Sequence, residues 1–243
     1  MAPSPAFEVA AHSGGDAKRS YVRGMFTAIA PRYDVLNHLL SLNADRSWRR
    51  AAVRRLGWET RPGGTYLDLC AGTLDLAAAL AREPGFSGRV IGADFVVAML
   101  AQGKGKAART RPVGADALTL PFADARFDGA MVAFGVRNLA DLDAGLREAH
   151  RVLRPGARFV VLEFATPRFA PLRALYLFYF RRVLPAIGRA VSKHRDAYTY
   201  LPESMLDFPD PDALARRLED AGFSAVSYQR LTGGICAIHH GTR

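Results

Sequence analysis

The sequence predicts a doubly wound α/β domain, a mostly parallel sheet with helices on both faces, and three observations carry that expectation. Short apolar runs alternate with helical segments from residue 65 to residue 163. Aspartates recur in order along this stretch, at Asp68, Asp94 and Asp116, as in open parallel sheets that present a ligand site beyond their strand ends. The composition is globular, with 49% hydrophobic and 23% charged residues over 243 positions and 22 Gly and 14 Pro dispersed along the chain, which excludes a collagenous or wholly disordered protein. That length suits one such domain with a few added helices.

Residues 1–20 are rich in Ala, Ser, Gly and Pro without periodicity and read as a loosely ordered lead-in to a single domain over 21–243. A helical cap is predicted across 21–60. Phe26, Ile29, Tyr33, Leu36, Leu39 and Leu40 recur at helical spacing around a break at Pro31, and Trp48, Ala52, Val53 and Leu56 mark a second helix. After Arg61-Pro62-Gly63-Gly64, residues 65–70 read as a buried strand, 71–73 as a turn, and the chain continues as a helix through Leu80. Strand 89–93, helix 96–108, strand 127–134, helix 141–153 and strand 157–163 follow, and such alternation requires right-handed crossovers between parallel strands. A helical insertion is predicted over 170–200, aromatic and aliphatic, interrupted by Pro185 and carrying Arg173, Arg181, Arg182 and Arg189. A helix over 210–221 closed by Gly222 leads to strands 224–229 and 234–239, whose short link makes them antiparallel.

Lys and Arg number 33 against 23 Asp and Glu, a net charge of +10 that raises nucleic acid or an anionic surface as a partner. The excess is scattered arginine and no nucleic-acid module spacing occurs, so no nucleic-acid partner is expected. Cys70 and Cys236 cannot frame a disulfide scaffold and have no metal-ligand spacing around them, so unpaired thiols, no metal and a reducing cytoplasm are expected. The first residues lack a basic stretch followed by an apolar one, and no apolar run approaches the ~18 residues of a spanning helix. The expected place is cytoplasmic, at most peripheral at the inner face of a membrane.

The chemistry is expected at the first strand-turn-helix, Asp68-Leu69-Cys70-Ala71-Gly72-Thr73-Leu74-Asp75. A dinucleotide fingerprint needs three glycines where only Gly72 stands, and no phosphate-binding loop with its Gly-Lys-Ser/Thr ending occurs. An adenosine-bearing ligand without phosphate, S-adenosylmethionine, fits better. The helix start and Thr73 can receive its carboxylate, and Gly72 permits close approach. Asp94 ends the second strand, where a carboxylate can accept from both ribose hydroxyls, and Asp116-Ala117 suit the adenine edge. The candidate cofactor set is Asp68, Gly72, Thr73, Asp94, Asp116 and Ala117.

Further segments extend this pattern: Tyr33-Asp34, Asn37, Ser41, Arg46 and Trp48 in the cap; Leu120-Pro121-Phe122; Phe134-Gly135-Val136-Arg137-Asn138; and Arg151-Val152-Leu153-Arg154-Pro155-Gly156. Leu162-Glu163-Phe164, Tyr200-Leu201, Glu203-Ser204, Phe208-Pro209 and Leu231-Thr232-Gly233-Gly234-Ile235 with His239 complete it. Over residues 26–241 the chain resembles the class I methyltransferases and, among them, the ubiquinone and menaquinone biosynthesis C-methyltransferases. The Leu-Pro-Phe and Arg-Pro-Gly pieces mark many methyltransferases, whereas Phe-Gly-x-Arg-Asn and Leu-Thr-Gly-Gly are more specific. The resemblance implies a Rossmann-like sheet with an antiparallel final strand, S-adenosylmethionine as cofactor, and methyl transfer to a ring carbon of a reduced polyprenylated quinol, demethylmenaquinol or the related benzoquinol.

Arg137 and Asn138 then become the catalytic candidates, Arg137 lowering the phenol pKa by charge and Asn138 orienting an oxygen. The competing reading pairs Arg137 with a carboxylate such as Asp141 and makes Asn138 a helix cap. In the cap, Tyr33, Asp34 and His38 are candidates for closing over the cofactor or removing a proton. The insertion reads as a lid for a prenyl tail, a contact with anionic lipid, or a surface for a homodimer. The family usually carries Gly-Gly-Thr-Gly-Asp where this chain has Ala71-Gly72-Thr73-Leu74-Asp75, so a positive φ at either substituted position is strained and Leu74 is expected to crowd the methionine end. Asn43 and Asp45 stand where Gly and His are usual, and Ala133 where a small hydroxyl is common. Two alternatives follow from these departures: a methyltransferase for another phenolic metabolite, or a non-methylating cofactor-binding scaffold.

Overall fold

The structure is a computed structural model that describes residues 15–41, 43–183, 200 and 204–243. Helix α1 (Gly15–Ile29) takes in the end of the stretch expected to be loose; Asp16 in its first turn complements the helix dipole there. A short 3₁₀ turn at Ala30–Arg32 accommodates Pro31, and α2 (Tyr33–Leu40) and α3 (Ala44–Leu56) complete the cap. Trp48, Ala52, Val53 and Leu56 are all buried, as their helical spacing requires.

Strands β1 (Thr65–Leu69), β2 (Arg89–Asp94), β3 (Thr110–Gly114), β4 (Phe127–Ala133), β5 (Leu153–Phe164), β6 (Ser224–Leu231) and β7 (Cys236–Thr242) form one sheet in the order β3-β2-β1-β4-β5-β7-β6. The first five are mutually parallel, and β7 lies antiparallel between β5 and β6. Helices α4 (Asp75–Ala81), α5 (Val97–Gly103), α6 (Leu142–Val152), α7 (Ala170–Phe178) and α8 (Pro211–Asp220) connect the strands.

β3 corrects the sequence reading, which runs a helix to residue 108 and places no strand after it. Thr110-Arg111-Pro112-Val113-Gly114 lacks apolar alternation, and proline is tolerated because β3 is an edge strand with β2 as its only neighbour. β5 also starts earlier than expected, at Leu153, which leaves α6 directly into the sheet opposite Phe127. On β1 the pleat sends Tyr66 to a core with α3 and α4 and sends Leu67 and Leu69 to a second core with α6 and α8. Helices thus cover both faces, as the fold class predicts.

β7 is held to α8 by His239, whose Nε2 donates to the Pro211 carbonyl at 2.9 Å while Nδ1 has no partner among the described residues. Burial keeps this imidazole neutral and pushes its pKa down to about 4. The unfolded chain protonates it near ~6.5, so the folded state binds fewer protons below that pH. Its contribution is complete at neutral pH and declines from about pH 6.5 towards pH 4, a loss of roughly 3 kcal/mol. Urea unfolding across this window is expected to lose about that much less in His239→Gln than in the unaltered chain; parallel curves refute the assignment.

Candidate functional site

The chain leaves β1 towards β2 on one side and returns at β4 on the other, so the crevice between the carboxyl ends of β1 and β4 is the switch point of the sheet. The backbone is strained on both sides of it. Cys70 and Phe134, just past these strands, have φ of +51° and +59°, a region that non-glycine residues uncommonly occupy. Gly135 lets the two strand ends approach, since a Cβ on it would lie 2.4 Å from Cys70 Cβ.

Six of the candidates line one pocket at this crevice: Tyr33, Gly72, Asp94, Asp116, Ala117 and Asn138. Phe95 and Met99 supply apolar wall that the sequence reading did not single out, beside Phe134 of the Phe-Gly-x-Arg-Asn piece. Asp94 is 8% exposed, with Oδ2 accepting from the Gly72 N–H at 2.8 Å and Oδ1 from the Val96 N–H at 2.8 Å. Burial raises its pKa, and these two bonds oppose the shift. An ionised carboxylate offers about four acceptor positions, so two remain for ligand hydroxyls. Asp116 accepts from the Leu118 N–H at 2.9 Å with one oxygen and from the Arg19 guanidinium with the other. Arg19 was missed because it sits in sequence that reads as a loose lead-in.

Asp68, Thr73 and Arg137 do not line this pocket. Asp68 lies beneath the turn, where its Oδ2 accepts from the Ala77 N–H at 2.8 Å and burial pushes its pKa up to about 7. Its visible task is to fix the first turn of α4. Thr73 donates to Asp34 Oδ1 at 2.5 Å, and Lys106 Nζ bridges Asp34 and Asp75 at 2.6 Å to each. These bonds fasten the cap onto the turn, and Asp34 acts as their common anchor. His38 is also committed within the cap, with Nδ1 3.0 Å from an Asp45 oxygen that shares its carboxylate with Ser41 and, at 3.6 Å, Arg49. Burial would raise the Asp45 pKa, but the bonds from Ser41 and His38 outweigh it and the pKa falls.

Leu74 does not crowd the pocket as expected. It has φ +65° and is fully buried, but its side chain turns into the core against Gly92 and Gly103. A Cβ on Gly92 would stand 2.2 Å from Leu74 Cδ2, so that glycine makes room for the leucine. Ala71 keeps a negative φ, and Asn43, at φ +61°, is one of the few residues able to stand in for glycine in that conformation.

Arg137 lies in the 3₁₀ turn Val136–Asn138 after β4 and is almost completely buried. One guanidinium nitrogen donates to Glu163 Oε1 at 2.7 Å and to the Phe134 carbonyl at 2.6 Å, and the group lies over the Phe164 ring at 5.3 Å. Its carboxylate partner is therefore Glu163, not Asp141. Asp141 itself caps α6 by accepting from the Ala144 N–H at 2.9 Å, so Asn138 is not the cap either. Asn138 Nδ2 reaches the Phe134 carbonyl at 3.4 Å, and its Oδ1 is buried without a partner among the described residues.

The Leu120-Pro121-Phe122 segment is anchored by the later arginine motif. Arg151 donates to the carbonyls of Leu120 at 3.1 Å and Phe122 at 2.8 Å, while Glu148 accepts from the Leu120 N–H at 2.8 Å. In the insertion, α7 exposes Leu175 and Phe178, 64% and 59% respectively, beside exposed Arg173. The insertion beyond Val183, with Pro185, Arg189 and most of the remaining span to residue 200, lies outside the described residues. Among the described residues no helix is long and apolar enough to cross a membrane.

With this geometry in place, comparison with known proteins is informative. Residues 15–243 match the profile of the ubiE/COQ5 methyltransferase family. A demethylmenaquinone methyltransferase of Thermus thermophilus is 50% identical over 224 residues, covering 90% of this chain and 100% of the relative. A ubiquinone/menaquinone biosynthesis C-methyltransferase of a Geobacter species is 43% identical, over 93% of this chain and 97% of the relative. Among solved structures, a SAM-dependent methyltransferase from Thermotoga maritima aligns over 90% of this chain and 98% of its own, with TM-score 0.65 and 19% identity. The [4+2]-cyclase SpnF aligns over 95% and 98% with TM-score 0.67 and 15% identity, so likeness at that level shows the fold alone.

Proposed function

The chain belongs to the ubiE/COQ5 methyltransferase family, and from that premise we propose that it methylates a ring carbon of a reduced polyprenylated quinol, demethylmenaquinol foremost. It is an S-adenosylmethionine-dependent methyltransferase of quinone biosynthesis. Relatives named for demethylmenaquinone reach 50% identity against 43% for those named for both quinones, which favours the naphthoquinol. One observation carries the assignment of the site. The switch-point pocket has two unused acceptor positions on Asp94 at one end and the unpartnered Asn138 Oδ1 at the other.

When bound, the cofactor supplies an electrophilic methyl on sulfur. In this reading Asp94 accepts from both ribose hydroxyls, Asp116 and Ala117 meet the adenine edge, and Gly72 lets the backbone approach the nucleoside. Asp68 and Thr73 serve from behind by holding the turn. Asn138 orients a quinol oxygen, and the Arg137–Glu163 pair stands behind it at the ends of β4 and β5. Holding two carbons in line accounts for much of such a reaction, because the ring carbon is already nucleophilic. The exposed face of α7, with Leu175, Phe178 and Arg173, suits a prenyl tail at an anionic lipid surface. A second copy of the chain is the other occupant that this face fits.

Transfer of labelled methyl from S-adenosylmethionine to a chemically reduced prenyl naphthoquinol is the expected result. Methylation of simple phenols in preference to that acceptor favours the phenolic-metabolite alternative. Saturable donor binding without transfer to any reduced acceptor removes the assignment.

A further inference from the structure

We propose that Glu163 is the base that takes the hydroxyl proton of the acceptor, and that Arg137 acts through it as its positioning partner. This deepens the reading above and rests on it for the class of substrate. Neighbouring residues at the ends of β4 and β5 bury three polar atoms with no partner among the described residues: Arg137 Nε, Asn138 Oδ1 and Glu163 Oε2. The Tyr200 hydroxyl is a fourth buried atom of this kind, and its ring packs on Val22, which with Asn138 lines the pocket. Folded proteins pair nearly all such atoms, so a local cluster of orphans marks a place that a polar ligand completes. One donor and two acceptors match an aromatic ring bearing oxygens that both give and accept hydrogen bonds.

The pairing geometry decides which group takes the proton. Glu163 Oε1 is occupied twice, by Arg137 at 2.7 Å and by the Phe164 N–H at 3.0 Å, which leaves Oε2 as the free oxygen. Arg137 has no lone pair to offer and its charge is matched by Glu163, so it is neither a base nor an isolated cation. His38 is engaged with Asp45 in the cap, and Cys70 on the pocket wall is held as a thiol by burial. Tyr176 and Tyr200 both lie within electrostatic reach of the pair, and burial keeps both phenols from ionising near neutral pH.

The step balances as follows. The ring carbon beside the hydroxyl forms a bond to the donor methyl while the sulfur–methyl bond breaks, its electron pair passing to sulfur. The hydroxyl proton moves to Glu163 Oε2, and the O–H electron pair becomes a carbonyl π bond. Water then takes the hydrogen of the methylated carbon, the ring regains aromaticity, and Glu163 returns its proton to the oxygen, so one proton is released overall.

Glu163→Gln separates this from a role for Arg137 as a phenolate-stabilising cation, because the two ideas predict opposite signs. With a short-chain prenyl naphthoquinol, kcat is expected to fall by about 100-fold or more. KM and the affinity for S-adenosylhomocysteine are expected to stay within about threefold, with rates normalised to protein that binds that product. An unchanged or raised kcat overturns the proposal, since the variant leaves Arg137 with its full charge. A second readout needs no turnover: 1-naphthol bound to the unaltered chain is expected to shift its absorbance towards the naphtholate and to lose that shift in Glu163→Gln, and a spectrum that the substitution leaves unchanged places Glu163 away from the phenol oxygen. Should Glu163→Gln fail to bind the product, Glu163→Asp keeps the charge while withdrawing the oxygen. In that variant a kcat at least about tenfold lower supports the proposal, and an unchanged kcat overturns it. A naphthol shift in a protein that methylates no naphthoquinol sinks the substrate assignment while leaving the placement of Glu163 intact.

Discussion

Replacing Asp94 by alanine is expected to weaken binding of S-adenosylmethionine and S-adenosylhomocysteine by roughly 10²- to 10⁴-fold. The ribose hydroxyls would each lose a hydrogen bond to a charged acceptor, worth about 1.5–3 kcal/mol apiece. A second loss adds to this, because the Gly72 and Val96 N–H groups, each 2.8 Å from that carboxylate, lose the partner that shapes the turn. Asp94→Asn keeps the volume and one acceptor oxygen but presents an amide NH₂ to groups that are themselves donors. Its loss is expected to be intermediate, about 10- to 100-fold. Calorimetry with S-adenosylhomocysteine measures both, and thermal unfolding shows whether the turn has survived. A folded alanine variant that binds within about threefold of the parent would remove the ribose from Asp94.

The sheet was legible in the sequence wherever burial on both faces imposed an apolar run. β1, β2, β4 and β5 are central strands, and residues such as Leu67, Val90, Met131 and Val160 have no solvent-facing side that polar residues could occupy. β3 was illegible for the converse reason. With one neighbour and an exposed edge, Arg111 and Pro112 face no packing constraint that would write a pattern. The start of α1 was hidden by Gly14-Gly15, which read as loop. What orders Lys18 and Arg19 is long-range: Lys18 donates to the Arg137 carbonyl at 3.2 Å and Arg19 pairs with Asp116.

The site was legible to the extent that position along a strand determines position in space. Gly72 and Asp94 follow from strand ends, and Asp116 and Ala117, just past a strand the sequence reading did not place, meet them in one pocket. Which side chains then turn towards ligand depends on partners far away in sequence. Asp68 points below the turn because α4 needs an acceptor for the Ala77 N–H, and Thr73 is taken by Asp34, 39 residues earlier. Leu74 looked like an obstruction only because the two glycines that receive it, Gly92 and Gly103, belong to β2 and α5. Glu163 was noticed only as part of the Leu162-Glu163-Phe164 segment and given no role; its meaning appears only when β4 and β5 are set side by side and Arg137 reaches across.

Arg137→Gln is expected to slow methyl transfer by about 10²- to 10⁴-fold while leaving donor affinity within about threefold. Its guanidinium is turned to Glu163 and Phe134 rather than into the nucleoside pocket, so cofactor binding has little to lose. Acceptor chemistry loses the group that orients Glu163. The same change is expected to cost about 3–5 kcal/mol of stability, because it strands a buried carboxylate without its counter-charge. These two effects are separable in the double variant Arg137→Gln with Glu163→Gln. Removing both charges restores a neutral, hydrogen-bonding pair, so much of the lost stability should return in urea unfolding. Transfer should not return, and should be no slower than in the slower single variant, since two residues acting as one unit are not additive in rate. Recovery of activity together with stability would reduce the pair to scaffolding. A double variant that stays slow while regaining its stability leaves proton acceptance at the ends of β4 and β5 as what these two residues contribute beyond the fold.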